Sequence, residues 1–190
     1  MLHIELTTSD AGVIERSLDV PEAFAELYDR HAAAIFRFAA RRLGRQAAED
    51  LIAETFLVAF RRRESYDLSR LDARPWLYGI AVNVIGKHRR AEVRMLRALA
   101  RTGVDPLTDG GVERADDRVA AGALRRELAG ALAALPAENR EVLLLVAWAD
   151  LSYEEVGCAL GIPIGTVRSR LSRARRKVRD ELARVDRDLE

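Results

Sequence analysis

The chain has 190 residues, 49% of them hydrophobic, with 31 basic and 30 acidic side chains and a formal net charge of +1, enough for one domain or two small ones. A single cysteine, Cys158, excludes an internal disulfide and a cysteine-cluster metal site, so neither metal nor cofactor is expected. No apolar run reaches the length of a membrane span, and residues 1–20 carry Glu5, Asp10, Glu15 and Asp19 instead of a signal-peptide core, so the expectation is a cytoplasmic protein without membrane insertion.

Residues 1–20 read as an N-terminal extension. From Glu22 to Leu43, Phe24, Leu27, Tyr28, His31, Ile35, Phe38, Ala39 and Leu43 recur at spacings of three and four, the pattern of a long amphipathic helix ended by Gly44. A second helix, 47–62, buries Ala48, Leu51, Ile52, Thr55, Phe56 and Ala59. Its opposite face aligns Asp50, Glu54, Leu57 and Arg61. Two carboxylates around an outward leucine suit a partner with basic groups and an apolar socket, although spacing alone leaves an ordinary solvated face equally open. A loop, 63–74, carries Ser65 and Tyr66.

Pro75 opens a third predicted helix, to about Ala100, with Leu77, Ile80, Ala81, Val84, Ile85 and His88 inward. Its other face carries Trp76, Asn83, Lys87, Arg90 and Arg94, and residues 87–101 hold six lysines and arginines against the single acid Glu92. Rings for stacking, an amide for a base edge and cations for phosphates make a surface for unpaired nucleic acid. Trp76 taken alone fits a core position, and Asn83 alone a solvated one. Together with the basic run they favour nucleic acid.

Residues 102–111, with Gly103, Pro106, Asp109, Gly110 and Gly111, followed by Glu113, Asp116 and Asp117, read as an acidic linker. Helices are expected again over 119–135 and 136–148. Ser152 and Glu155 have capping-box spacing and start a short helix that Gly161 ends, with Cys158 as a small buried residue. Pro163 reads as the first position of the next helix, whose stripe Ile164, Val167, Leu171, Ala174 and Val178 is buried. Two helices around a glycine-containing turn form a helix-turn-helix. The free face of the second helix carries Thr166, Arg168, Ser169, Arg170, Arg173 and Lys177, and residues 168–179 include seven basic side chains with no acid. A helix dipole explains basic residues only in the last turn. Arg168, Arg170 and Arg173 lie before it, which favours a polyanion, DNA in the major groove. No segment alternates with period two, so the fold class is all-α: two small helical domains joined by a flexible linker, the C-terminal one containing the helix-turn-helix.

Three motifs now carry a likeness: Glu49 to Phe60, Arg74 to Asn83 and Leu151 to Arg175 closely resemble bacterial RNA polymerase sigma factors of the extracytoplasmic-function (ECF) group. The resemblance implies an extension at 1–20, sigma domain 2 at 21–100, a linker at 101–118 and sigma domain 4 at 119–190. It implies partners: core RNA polymerase (the β′ clamp helices and the β subunit), promoter DNA and an anti-sigma factor as external inhibitor. Asp50, Glu54, Leu57 and Arg61 would bind polymerase. Ser65, Tyr66, Trp76, Asn83, Lys87, Arg90 and Arg94 would capture and help melt the −10 element. Thr166, Arg168, Ser169, Arg170, Arg173 and Lys177 would read the −35 element. Two positions depart from the family pattern: Ala53 stands where glutamine is frequent, and Lys87 where aspartate is common. The chain end at Glu190 leaves no room for an appended C-terminal regulatory domain.

The main rival is a free-standing helix-turn-helix regulator that reads an operator without engaging polymerase. It would need a dimerisation surface and a sensor, whereas the first domain is given to a nucleic-acid face and an acidic stripe. No catalytic constellation is expected, because His3, His31 and His88 are scattered and Cys158 has no evident base.

Overall fold

The computed structural model describes residues 9–103 and 115–188, excluding the side chains of 115–121 and 184–188. Residues 1–8 and most of the acidic linker lie outside the described residues. Among those described there are helices and turns but no strand.

The first described helix, α1 (Asp10–Asp19), falls within the segment read from sequence as an extension. Ser9 caps it by accepting the Gly12 amide at 3.2 Å, and Ala11, Val13 and Ile14 are buried. A 3₁₀ turn (Pro21–Phe24) leads into α2 (Ala25–Leu43), which buries Leu27, Ile35, Phe38 and Ala39. Helix α3 (Arg45–Arg62) follows, sealed by Leu51, Thr55, Phe56 and Ala59. A second 3₁₀ turn (Arg63–Ser65) and an irregular loop reach α4 (Arg74–Lys87).

The long third helix expected from sequence is two helices. His88 leaves helical geometry (φ −106°, ψ 21°), its amide closing a tight bond to Ile85 O at 2.7 Å, and α5 (Arg89–Thr102) starts beyond it. His88 is therefore a junction residue exposed to solvent instead of a member of the inward stripe. His31, also expected on a core face, is half-buried, with its Nε2 2.7 Å from Asp10 Oδ2.

Helices α6 (Ala115–Ala133) and α7 (Ala137–Ala147) precede the helix-turn-helix, formed by α8 (Tyr153–Leu160) and α9 (Ile164–Asp188). Both capping-box bonds are made: the Ser152 amide donates to Glu155 Oε2 at 2.7 Å and the Glu155 amide to Ser152 Oγ at 3.2 Å. Gly161 ends α8 in the left-handed region (φ 63°). Pro163 stands just before α9, its carbonyl accepting from the amides of Thr166 and Val167. Val167, Leu171 and Ala174 are buried as the spacing predicts, but Ile164 is exposed.

Among the described residues, one core cluster runs through both modules. Helix α5 packs along α6, and α8 lies on α4, so the helix-turn-helix module is folded back onto the first module. At that crossing the backbones touch: a side chain at Gly79 would have no room against the Ala159 carbonyl oxygen. A buried ionic cluster joins the modules nearby. Arg42 of α2, fully buried, donates from Nε to Glu92 Oε1 at 2.6 Å and through Nη1 and Nη2 to both carboxylate oxygens of Glu141 at 2.7 and 2.6 Å. Arg140 of α7 reaches Glu92 Oε2 at 3.1 Å. Burial alone would weaken the Arg42 charge, but Glu141 and Glu92 hold its pKa above the ordinary value.

Candidate nucleic-acid interfaces

Three surfaces contain the residues that sequence singled out. On α3, the helix buries its small and aromatic stripe against α2 and α4, which turns Asp50, Leu57 and Arg61 to solvent and leaves Glu54 half-exposed. Leu57 is 47% exposed, as is Leu71, so its exposure alone is ordinary and gains meaning only from the carboxylates beside it. Glu54 is engaged across the surface by Lys87 Nζ of α4. A residue expected to bind polymerase and one expected to bind the −10 strand thus neutralise each other in the free protein.

The second surface is a pocket of about 250 Å³ between the loop after α3 and the exposed side of α4. Ser65, Tyr66, Trp76 and Asn83 line it together, joined by Arg62 and Arg70. Tyr66 is less available than its place in a loop suggests. It is 8% exposed, its ring lies 4.9 Å from that of Trp76, and its hydroxyl donates to Arg70 O at 2.7 Å, with Asp72 O at 3.2 Å. Burial, reinforced by the charges of Asp10 and Asp72, pushes the Tyr66 pKa up, so the hydroxyl keeps its proton for these carbonyls. Tyr66 therefore shapes the wall, while the half-buried Trp76 and exposed Asn83 offer the free ring and amide. Arg90 and Arg94 do not line the pocket, because the break at His88 moves them onto α5; both are exposed there.

Sequence reasoning missed the other wall. Cys158 and Ala159 of α8 close the pocket, and Arg70 donates a hydrogen bond to Cys158 Sγ. Cys158 is accordingly a half-exposed residue at the crossing of the modules and not a buried apolar one. Arg74 adds a second tie, donating to Ala149 O at 2.8 Å. Nothing in the local pattern could signal this wall, since its members are separated by some eighty positions in the chain.

The third surface is the outer side of α9. Arg168, Ser169, Arg173 and Lys177 are exposed, while Thr166 and Arg170 are half-buried. Arg173 is held along the helix by Ser169, donating to its carbonyl and hydroxyl oxygens at 3.2 Å each. Arg170 leans toward Glu138 of α7 at 3.8 Å, and Lys177 pairs with Glu181 at 3.4 Å. These are loose pairs on a solvated face, easily exchanged for phosphate.

The comparisons with known proteins follow this division. Residues 27–95 match the family model for Sigma-70 region 2, and residues 125–178 that for Sigma-70 region 4. The ECF RNA polymerase sigma factor SigL of Mycobacterium tuberculosis is 37% identical over 154 residues, covering 80% of this chain and 85% of SigL. The chain belongs to the ECF sigma factors. SigE of Mycolicibacterium smegmatis is 37% identical over 164 residues, covering 84% of this sigma factor and 61% of SigE, so the chain spans less than two thirds of that relative. SigW of Bacillus subtilis is 32% identical over 170 residues, covering 85% and 89%. Among solved structures, CnrH, in complex with the cytosolic domain of CnrY, superposes with a TM-score of 0.63 at 24% identity, covering 92% of this chain and 97% of CnrH. The sigma factor RpoE of Bartonella quintana, in complex with the anti-sigma factor NepR, gives 0.58 at 24% identity, covering 84% and 96%. These two likenesses concern the fold.

Proposed function

We propose that this sigma factor binds core RNA polymerase and directs promoter-specific initiation, its first module capturing and helping to melt the −10 element while its second reads the −35 element. The observation that carries this reading is that one chain presents two separate surfaces of different kinds: a pocket beside α4 lined by a ring and an amide, and an exposed basic face on α9. Domain limits of 21–100 and 119–190 around a linker at 101–118 suit that division. A regulator acting without polymerase has no use for the strand pocket or for the stripe of Asp50, Glu54, Leu57 and Arg61, which we assign to polymerase.

Mechanistically, α8 has to leave the pocket before a strand can lie along α4, because Gly79 and Ala159 are in backbone contact. The ionic cluster suits such an opening. Each module contributes one arginine and one glutamate, Arg42 with Glu92 and Arg140 with Glu141, so neither half carries net charge when separated. Arg140 Nε has no hydrogen-bond partner while closed, and water satisfies it on opening. Polymerase docking then holds both modules at fixed separation, and the first DNA contact raises the effective concentration of the second. An anti-sigma protein that favours the closed arrangement is the expected inhibitor, and the cytoplasm the expected compartment.

Run-off transcription with core polymerase on genomic fragments tests the function. Defined transcripts that depend on this protein are expected; their absence at every site would refute it. Asp50→Ala with Glu54→Ala is expected to weaken core binding without unfolding the chain, and unchanged affinity in a titration would remove that stripe from the docking surface.

A further inference from the structure

Helix α1 lies outside the residues that match the family model, and it touches the loop beside the pocket at both ends. At the loop's exit, Leu71 O accepts from the amides of Asp10 at 3.1 Å and Ala11 at 3.4 Å. These are first-turn amides, which no carbonyl within the helix can satisfy. The Ala73 amide donates in the opposite direction, to Asp10 Oδ2 at 3.0 Å, and Ala73 is the residue from which α4 starts. At the loop's entry, Arg63 Nε donates to Ser17 O at 3.3 Å. Between these ties, beyond the 3₁₀ turn at Arg63–Ser65, the chain makes a turn in which the Asp67 carboxylate accepts from Ser69 and Arg70, and it carries Tyr66, whose ring backs Trp76.

The Asp10 carboxylate is the hub of this arrangement. It is 7% exposed, and besides the Ala73 amide it meets Arg30 Nη1 at 3.0 Å and His31 Nε2 at 2.7 Å, both from α2. Burial alone would raise its pKa, but the His31 bond, the Ala73 amide and the neighbouring cations hold it below the usual carboxylate range, so it stays ionised. Docking of α1 on the core does not depend on that charge, since Ala11, Val13 and Ile14 supply the buried apolar contact. The carboxylate instead joins α2, through Arg30 and His31, to the end of the loop at Ala73.

We propose that Asp10 is a positioning residue for −10 strand capture: its carboxylate, by holding the Ala73 amide against α2, fixes the end of the loop that sets Tyr66 and Trp76 as the wall of the base pocket. This rests on the reading of that pocket as the −10 site. Asp10 touches no DNA itself; it decides where the groups that do are held. Without the carboxylate, the Ala73 amide at the start of α4 and Arg30 and His31 of α2 lose a partner, while Leu71 O keeps its two backbone amides and the stripe of α3 is untouched.

The test uses the full chain as holoenzyme, with Asp10→Ala, which removes the acceptor, and Asp10→Asn, which keeps size and one acceptor oxygen but not the charge. Three quantities are compared with the unmodified protein: affinity for core polymerase, binding of a −35 duplex, and discrimination between fork-junction DNA with the preferred −10 bases and the same DNA with one unpaired base changed. For Asp10→Ala the discrimination is expected to fall about tenfold, the effect of one buried hydrogen bond, with the other two quantities unchanged. Asp10→Asn should fall between. If core binding, −35 binding and discrimination decline together in both variants, loss of folding included, Asp10 is only structural and the proposal is overturned. Full discrimination by Asp10→Ala overturns it as well. If the unmodified holoenzyme itself shows no base preference at the fork, the pocket reading fails instead.

Discussion

On α9, Arg168, Ser169 and Arg173 stand on the solvent side of a helix whose other side is sealed by Val167, Leu171 and Ala174, whereas beside α4 the groups suited to a nucleic-acid strand share their pocket with Cys158 and Ala159 of the second module. One face is ready as folded and the other is covered. The contrast follows from what each face is made of. A duplex-reading helix needs only its own period and a core to lie on. A pocket for an unpaired base needs a loop, a helix start and an unoccupied volume, and each of these depends on distant parts of the chain. It also suggests an order of events, in which the exposed basic face can meet duplex DNA before the covered pocket becomes available.

Salt should separate the two most strongly. With six to ten phosphate contacts, holoenzyme affinity for its promoter is expected to drop by roughly 10³ to 10⁵ between 50 and 200 mM salt, measured by competition binding. Over the same range the distance between the modules in the free protein, followed by paired fluorophores, should stay constant, because the Arg42 cluster is buried and little screened. A flat salt response of promoter binding would contradict the first expectation, and salt-driven opening the second.

Breaking the cover comes next in size. Glu141→Ala removes the two Glu141 oxygens from the Arg42 Nη atoms and leaves Glu92 as the sole carboxylate between two buried arginines while the modules are together. The penalty, about 3–5 kcal/mol for one partner of a buried pair, therefore falls on the closed arrangement. Small-angle scattering of the free variant should show a larger radius of gyration, and its affinity for single-stranded −10 DNA should rise. A radius and affinity equal to those of the unmodified protein would show that the cluster does not hold the cover.

On the open face, Arg170→Ala is expected to weaken or relax −35 recognition by about 1–3 kcal/mol if the guanidinium pairs bidentately with a guanine. Arg170 must first leave Glu138, but at 3.8 Å on a solvated surface that pair offers little resistance. An unaltered promoter preference would remove Arg170 from the readout set. The smallest effect should come from Lys87→Ala, which frees Glu54 at the cost of an exposed ion pair worth about 0.2–1 kcal/mol. Core binding should strengthen slightly, and a marked loss would mean that Lys87 itself contacts polymerase.

Several features were readable because their causes are local. The Ser152 to Glu155 box, the glycine stop at Gly161 and the stripe of Val167, Leu171 and Ala174 each depend on residues within a turn or two. The exposed line of Asp50, Leu57 and Arg61 follows in the same way from helical period. The failures have causes that period cannot carry. His88 continues the inward spacing yet marks a break, because the ladder of α4 ends at Lys87. Tyr66 looks like an offered loop aromatic, but its hydroxyl is taken by carbonyls of its own loop. Glu92 reads as the one acid diluting a basic run, and is in fact the buried partner of two arginines from other helices.

Helix period and capping act over a few residues, so the amino-acid order was enough to read the all-helical character, the helix-turn-helix, the basic face of α9 and the acidic stripe of α3. Packing between distant helices set the rest: α8 closes the pocket, Arg42, Glu92, Arg140 and Glu141 meet in one buried cluster, and Asp10 anchors the loop beside Trp76. Each of those joins groups some forty to a hundred positions apart, where burial and charge pairing between whole helices, and no local pattern, choose the partner.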